Sequence, residues 1–381
     1  MTSSAGPALL LTGATGFVGG SLLRRLLAKR PDLRVIALVR HPDQVAGVAA
    51  DPRVSALLGD ITQADLGLDR SWRQRLERIV TEVLHCAAVT QFGLPLETAR
   101  AVNTEGTRAV LGLARRFRKL AKLAHVSTVY VAGRTSGAMA EAPARYPVDG
   151  FCNSYQQSKH EAEQLVIEAM ADVPAAIYRL SSIAGDSRTG RVQQFNHVHQ
   201  LMRLFPQNIL PIIPADQAAP VDLIATDWAI PALAHLFDAS FVGGDIAQVC
   251  AGGDASLTVR ELIDLTARAY ERHPLGRQWH PIRVPDFVSL SEFEAYVDRH
   301  RHARDRLFGE LLRVLSLFLP HLGIYQAFEN HVTVKRLAGI DLPIPPIRAY
   351  YERIVTYGLD TAWGKRAPAG PGHPDPNGRS A

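Results

Sequence analysis

Residues 8–19 read Ala8-Leu9-Leu10-Leu11-Thr12-Gly13-Ala14-Thr15-Gly16-Phe17-Val18-Gly19. The apolar run Ala8–Leu11 lacks polar alternation, as does a strand buried on both faces of a parallel sheet. The glycines follow in a G-x-x-G-x-x-G pattern, and an amphipathic helical stretch, Phe17–Lys29, follows them. Gly13 allows the tight turn, Gly16 lets the backbone approach a pyrophosphate, and Gly19 lets the helix pack close to the sheet. The helix N-terminus then faces the phosphates with free N–H groups and the positive end of its dipole. A glycine triplet alone is weak evidence. Between a strand and a helix it reads as the phosphate-binding turn of a dinucleotide site.

Working outward, the alternation of strand and helix continues. Arg34–Val39, Val54–Leu58, Ile79–Leu84, Leu123–Val126 and Ala175–Arg179 are predicted strands. Ser71–Arg78, Leu96–Arg118 and Ser154–Ala171 are predicted helices between them. This βαβ order predicts an α/β fold, a Rossmann-type doubly wound parallel sheet of about seven strands. Asp222–Leu236 is a predicted helix in which Pro231 should place a kink, and Ile246–Val249 a late strand returning to the sheet. Prolines punctuate the remainder, which predicts a smaller, mainly helical C-terminal substrate domain. The expected division is 1–182 for the NADP-binding Rossmann domain, with 222–250 returning to it. Residues 183–221 and 251–365 form the substrate-binding part, and 366–381 a disordered tail.

The 381 residues are 47% hydrophobic and 21% charged, which excludes wholesale disorder and a collagen-like repeat. The three cysteines, Cys86, Cys152 and Cys250, make no disulfide framework and suit a reducing, cytoplasmic compartment. The first residues lack the basic, apolar pattern of a secretion signal. A formal charge of +5 without a long basic block predicts no nucleic-acid partner. Leu307–Phe328 is strongly apolar, but Glu310, Arg313, Pro320 and His321 interrupt it. Its uninterrupted apolar run is too short to span a bilayer, so it predicts a core or substrate-pocket helix, with peripheral membrane contact as the alternative.

The second predicted strand ends at Val39-Arg40, where an NAD site would carry a carboxylate for the ribose 2′-OH. A planar arginine cation instead suits a 2′-phosphate, so NADP (NADPH) is the expected cofactor. Asp60 is placed to accept the adenine amino group, with Ile61 covering the ring. The small Ala87 and Ala88 let the backbone lie against the cofactor. His85 and Cys86 read as packed, and no metal-ligand spacing surrounds them. The expected cofactor set is thus Gly13, Thr15, Gly16, Phe17, Val18, Gly19, Arg40, Asp60, Ile61, Ala87, Ala88, Tyr155 and Lys159.

Tyr155-Gln156-Gln157-Ser158-Lys159 opens a predicted helix, and positions i and i+4 share one face. A nearby ammonium should lower the tyrosine pKa, so that Tyr155 can give a proton to a carbonyl oxygen as hydride arrives. Lys159 can also hold the nicotinamide ribose. A hydroxyl from the end of the fifth strand, Val126-Ser127-Thr128-Val129, should orient that carbonyl. Register favours Thr128, with Ser127 as the alternative.

Together these residues resemble the extended short-chain dehydrogenase/reductase superfamily. Within it the chain is most similar to the thioester-reductase and fatty acyl-CoA reductase branch, which includes carboxylic acid reductase terminal domains. The likeness rests on Thr12–Gly19, Leu38-Val39-Arg40, His85-Cys86-Ala87-Ala88, Val126–Val129 and Tyr155–Lys159 with Glu161 and Glu163 following. It continues through Arg179–Gly190, Pro211–Pro214 and Ala219–Leu223, and so covers roughly 8–236. Leu180 stands where the family has proline. The resemblance implies an NADPH-dependent reduction of an acyl thioester, as acyl-CoA or carrier-bound, to an aldehyde, with a second hydride giving the alcohol. Thr128, Tyr155 and Lys159 would be the catalytic triad. The alternative keeps the triad but acts on a ketone, aldehyde, sterol or nucleotide sugar.

Overall fold

The computed structural model describes residues 6–44, 50–204, 206, 208, 211–279, 281–300 and 319–366. In chain order it begins β1 (Ala8–Thr12), α1 (Phe17–Lys29), β2 (Arg34–Val39), β3 (Val54–Leu58), α2 (Arg70–Ile79) and β4 (Glu82–His85). Next come α3 (Leu96–Ala114), β5 (Lys122–Thr128), β6 (Gly137–Met139), α4 (Ser154–Ala169), β7 (Ala175–Leu180), β8 (Ser182–Gly185) and α5 (His197–Leu204). After these lie β9 (Ile212–Pro214), β10 (Pro220–Val221), β11 (Leu223–Ala225), α6 (Thr226–Asp238), β12 (Ile246–Val249), β13 (Leu257–Thr258) and α7 (Val259–Arg272). The described chain ends through β14 (Asp286–Val288), α8 (Leu290–His300), β15 (Gln326–Phe328), α9 (His331–Leu337) and α10 (Tyr351–Asp360).

Seven strands form one sheet in the order β3-β2-β1-β4-β5-β7-β12, every neighbouring pair parallel. The order reverses between β1 and β4, the switch point at which a doubly wound sheet opens a crevice at its carboxyl edge. The pleat divides each strand between two cores. Leu9, Leu11, Val35 and Ala37 pack with Leu22 and Leu26 of α1, Trp228 and Leu233 of α6, and Tyr351 and Ile354 of α10. Leu10, Ile36 and Leu38 pack with Leu76 of α2, Val110 of α3 and Val166 of α4. Both faces are buried, which is why these strands show no alternation in sequence.

Several expected boundaries move. Ile79 closes α2, and β4 starts only at Glu82. Helix α3 stops at Ala114, short of Arg118, and α4 at Ala169. The expected helix at Asp222–Leu236 is a strand and then a helix. Leu223–Ala225 pairs with β8, and α6 carries Pro231 within it. The C-terminal part interleaves its helices with short pairs, β9 with β14, β10 with β13 and β6 with β15. The last pair brings the C-terminal third back to the loop after β5. Of the apolar segment Leu307–Phe328, 307–318 lies outside the described residues. The rest is a tight turn, Leu319–Gly323, followed by β15. Of the expected tail, 367–381 also lies outside the described residues. Among the described residues no helix is long and apolar enough to cross a membrane.

Candidate active site

The glycine turn does what its spacing demands. Gly13 sits at φ +73°, and a Cβ there would lie 2.7 Å from the Ala87 backbone nitrogen. At Gly19 a Cβ would lie 2.2 Å from the Gly13 carbonyl oxygen, so any side chain would push α1 off the turn. Between this turn and the ends of β2, β3 and β4 lies a cleft of about 220 Å³. Gly13, Thr15, Gly16, Arg40, Asp60, Ile61, Ala87 and Ala88 all line it. Phe17, Val18 and Gly19 open α1 beyond it and are not in its wall. Asp60 Oδ1 accepts from the Thr62 N–H and hydroxyl, both at 2.9 Å, which fixes the carboxylate at the rim. Arg40 is exposed and, among the described residues, in no ion pair. Closely approached backbone N–H groups with an unpaired guanidinium beside them fit a phosphorylated dinucleotide.

Helix α4 is set by its cap. Asn153 accepts from the Gln156 N–H at 3.0 Å, and Gln156 Oε1 accepts from the Cys152 N–H at 2.8 Å. Asn103 of α3 donates to the Ser158 hydroxyl at 3.0 Å. These bonds hold Tyr155 in the first turn, with Lys159 one turn further on. The Tyr155 ring stacks on Phe92, centroids 5.5 Å apart. Burial pushes its phenol up to about 12, against a hydrogen bond with Thr128 that lowers it. Strand alternation sends Thr128 and Ser127 to opposite faces, and Thr128 is the one that meets Tyr155. The Ser127 hydroxyl is buried without a hydrogen-bond partner among the described residues.

The lysine departs from expectation. Its ammonium lies 3.0 Å from His125 Nε2 and 2.9 Å from the Val126 carbonyl oxygen. Burial, not the ammonium, governs the Tyr155 phenol, which stays protonated at neutral pH. Burial draws Lys159 itself down to about 8. His85 and Cys86 are packed, as expected. His85 Nδ1 lies 2.7 Å from the Thr12 hydroxyl and Nε2 3.0 Å from that of Thr107. Burial pushes the Cys86 thiol up to about 12.

A profile of the male sterility protein family matches residues 11–233. The chain belongs to that family. It is 34% identical over 249 residues to an isonitrile lipopeptide synthase of Streptomyces coeruleorubidus, covering 60% of this chain but 16% of that protein. It is 24% identical over 396 residues to fatty acyl-CoA reductase 1 of Arabidopsis thaliana, covering 82% of this chain and 80% of that one. The terminal R domain from the myxalamid PKS-NRPS pathway shares the fold at TM-score 0.77 and 25% identity, covering 96% of this chain and 94% of that one. The chain thus has the extended short-chain dehydrogenase/reductase fold with an NAD(P)-binding domain, and it spans only a small part of the first of these relatives.

Within this male sterility family member, four rings converge around Tyr155 that sequence reasoning did not single out. The His197 ring lies 4.7 Å from Phe92, and the His321 ring lies 5.3 Å from Tyr130. The Tyr130 hydroxyl lies 3.0 Å from Ser182 Oγ. His321 arrives from the turn before β15, and Gln156 Nε2 reaches its ring at 3.0 Å. Only Tyr130 carried a sequence signal, two residues past Thr128. Phe92, His197 and His321 lie outside any motif. Asp222, part of the family-like Ala219–Leu223 stretch, is structural. Its carboxylate accepts from the Ala251 and Gly252 N–H groups and the Ser256 hydroxyl.

Proposed function

We propose that this chain is an NADPH-dependent reductase of acyl thioesters, with Thr128, Tyr155 and Lys159 as its catalytic residues. The observation that carries the reading is the protonated Tyr155 phenol bonded to Thr128 beneath an aromatic wall, in a chain of this family. A second cavity, of about 470 Å³, supports it. Pro214, Ala215, Val288, Leu290 and Ile324 give it an apolar side, Arg134, Asp149, Asp216 and Ser289 a polar one, and it adjoins the turn that carries His321. An acyl chain suits the apolar side.

Gly13, Thr15, Gly16, Arg40 and the Ala87–Ala88 backbone would hold NADPH, which supplies a hydride when bound. Thr128 and Tyr155 orient the thioester carbonyl oxygen and stabilise the negative charge that builds on it. Tyr155 gives that oxygen its proton. As the carbon–sulfur bond breaks, the hydroxyl proton passes to the departing sulfur, the thiol leaves, and an aldehyde remains. The phenylalanine and histidine rings exclude water from the reacting carbon. In this reading the Rossmann part comprises 1–182 and 222–250, and 183–221 with 251–365 shape the acyl side. The thiol side belongs to CoA or to a carrier's pantetheine arm.

The test is NADPH consumption against acyl-CoA and acyl-carrier thioesters, the matching aldehydes, plain ketones and nucleotide sugars, with products identified by mass. Thioester turnover to aldehyde or alcohol is expected. Turnover of ketones or sugars alone would reject the thioester reading while keeping fold and cofactor. Cofactor choice has its own test. Arg40→Ala should raise the KM for NADPH by about 10-fold and leave NADH nearly unchanged, because it removes only the 2′-phosphate partner. Equal loss with both cofactors would show that Arg40 does not read that phosphate.

A further inference from the structure

The buried layer between the sheet and α4 surrounds Lys159 with polar side chains that the proposed chemistry does not use. Lys159 is 2% exposed and His125 1%. An ammonium has only donors, so the 3.0 Å contact makes His125 Nε2 the acceptor. The ring is then neutral with its proton on Nδ1. That nitrogen is buried and without a hydrogen-bond partner among the described residues. Among the described residues, no other titratable side chain facing the ammonium is free to accept from it. Glu163, one turn along α4, is taken by Arg179 through bonds of 3.0 and 2.8 Å. His85, beside His125 at 5.1 Å between ring centroids, is taken by Thr12 and Thr107. The Cys86 thiol is kept neutral by burial.

We infer that His125 is a positioning residue for Lys159: its neutral Nε2 holds the ammonium charged and aimed in a dry site. The second anchor, the Val126 carbonyl, belongs to the same strand end that presents Thr128. One strand therefore sets both the carbonyl-orienting hydroxyl and the lysine. Two of the three ammonium protons are spent on β5, which leaves one for the nicotinamide ribose. The inference rests on the proposed roles of Lys159 and Tyr155.

Burial disfavours the charged amine, and Nε2 opposes that effect. With the acceptor removed, Lys159 should lose its proton at a lower pH. The groups facing it are His125 on β5, His85 and Cys86 at the end of β4, and Glu163 and Tyr155 on α4. Of these, Glu163 favours the charged amine from a distance, and substitution at position 125 leaves it in place.

The experiment is a pH titration of the protein labelled with 15N-lysine, with Lys159→Met identifying the resonance. The wild-type signal should titrate near 8. In His125→Phe it should titrate about one pH unit or more lower. In His125→Gln, whose amide oxygen can replace Nε2, it should stay near the wild-type value. The alkaline limb of kcat/KM, measured on whichever carbonyl substrate the panel reveals, should move with the resonance. If His125→Phe fails to fold, His125→Asn serves in its place, since its shorter amide stops short of Nζ. An unmoved resonance in a folded variant lacking the acceptor overturns the inference. Thioesters left unreduced while the resonance shifts would overturn the thioester reading and keep the His125 contact.

Discussion

Tyr155→Phe should lower kcat for thioester reduction by about 10²- to 10⁴-fold while leaving the Kd for NADPH within about twofold of wild type. The ring that remains keeps its stack on Phe92, so the pocket is not emptied. Thr128 keeps its own backbone bond, accepting from the Tyr130 N–H at 3.3 Å, so no orphaned hydroxyl confuses the result. What disappears is the proton that the phenol holds at neutral pH, because burial keeps its pKa at about 12. Thr128 alone can still polarise the carbonyl, which is why a residual rate is expected. Stopped-flow NADPH oxidation with a saturating thioester, alongside fluorescence titration of the cofactor, measures both quantities. A variant that turns over at the wild-type rate would remove Tyr155 from the chemistry. A variant that loses cofactor binding would make the residue structural.

The cofactor half of this site was legible in the sequence because its constraints are local. Gly13 and Gly19 are dictated by a turn and a helix packed within one short segment, and the unpaired Arg40 ends the next strand. The same locality made β1, β2 and β3 readable to the residue or nearly so. Tyr155 and Lys159 were legible through helical spacing, but the direction of the ammonium was not. His125 lies 34 residues upstream on a strand, and only the packing of α4 on β5 brings it to Nζ. The aromatic wall was illegible for the same reason. His321 and Phe92 each come from a loop, and no periodicity links them. At 222–236 the apolar run Leu-Ile-Ala fits a helix or a strand equally well. Its pairing with β8, 41 residues away at Leu223 and Ser182, decides for strand.

Lowering the pH from 7.5 to 5 should cost the protein about 4 kcal/mol of stability through the buried His85 and His199 alone. Their hydrogen bonds show why protonation is resisted. The Thr107 hydroxyl donates to the Asn103 carbonyl at 2.6 Å, so it accepts from His85 Nε2–H. Thr12 Oγ1 accepts from the Ala87 N–H and so must give its proton to His85 Nδ1. A second ring proton would face a donor in a dry site. His199 is arranged likewise, Nδ1 accepting from the Asn196 N–H and Nε2 donating to the Ala184 carbonyl. Burial holds His85 at about 3 and His199 at about 4, and draws His125 down as well. All three lie below the unfolded value of about 6.5, so between the two values the unfolded chain binds more protons. Stability is therefore complete above about 6.5 and falls as the pH drops toward the folded values. At pH 5 the still-neutral His85 and His199 cost about 2 kcal/mol each. The two together approach the lower end of the stability of a typical domain, about 5–15 kcal/mol, and His125 adds to the loss in the same direction. His197 and His321 act in the same direction, burial drawing them down to about 3 and about 4. Asp222 opposes them, since burial raises its pKa and protonation relieves it. Urea unfolding at pH 7.5, 6.5, 5.5 and 5 reads the slope, and a midpoint flat across that range would sink the argument. His199→Gln removes one of the two groups and should recover about 2 kcal/mol of the loss at pH 5, with its own pH 7.5 stability as the reference.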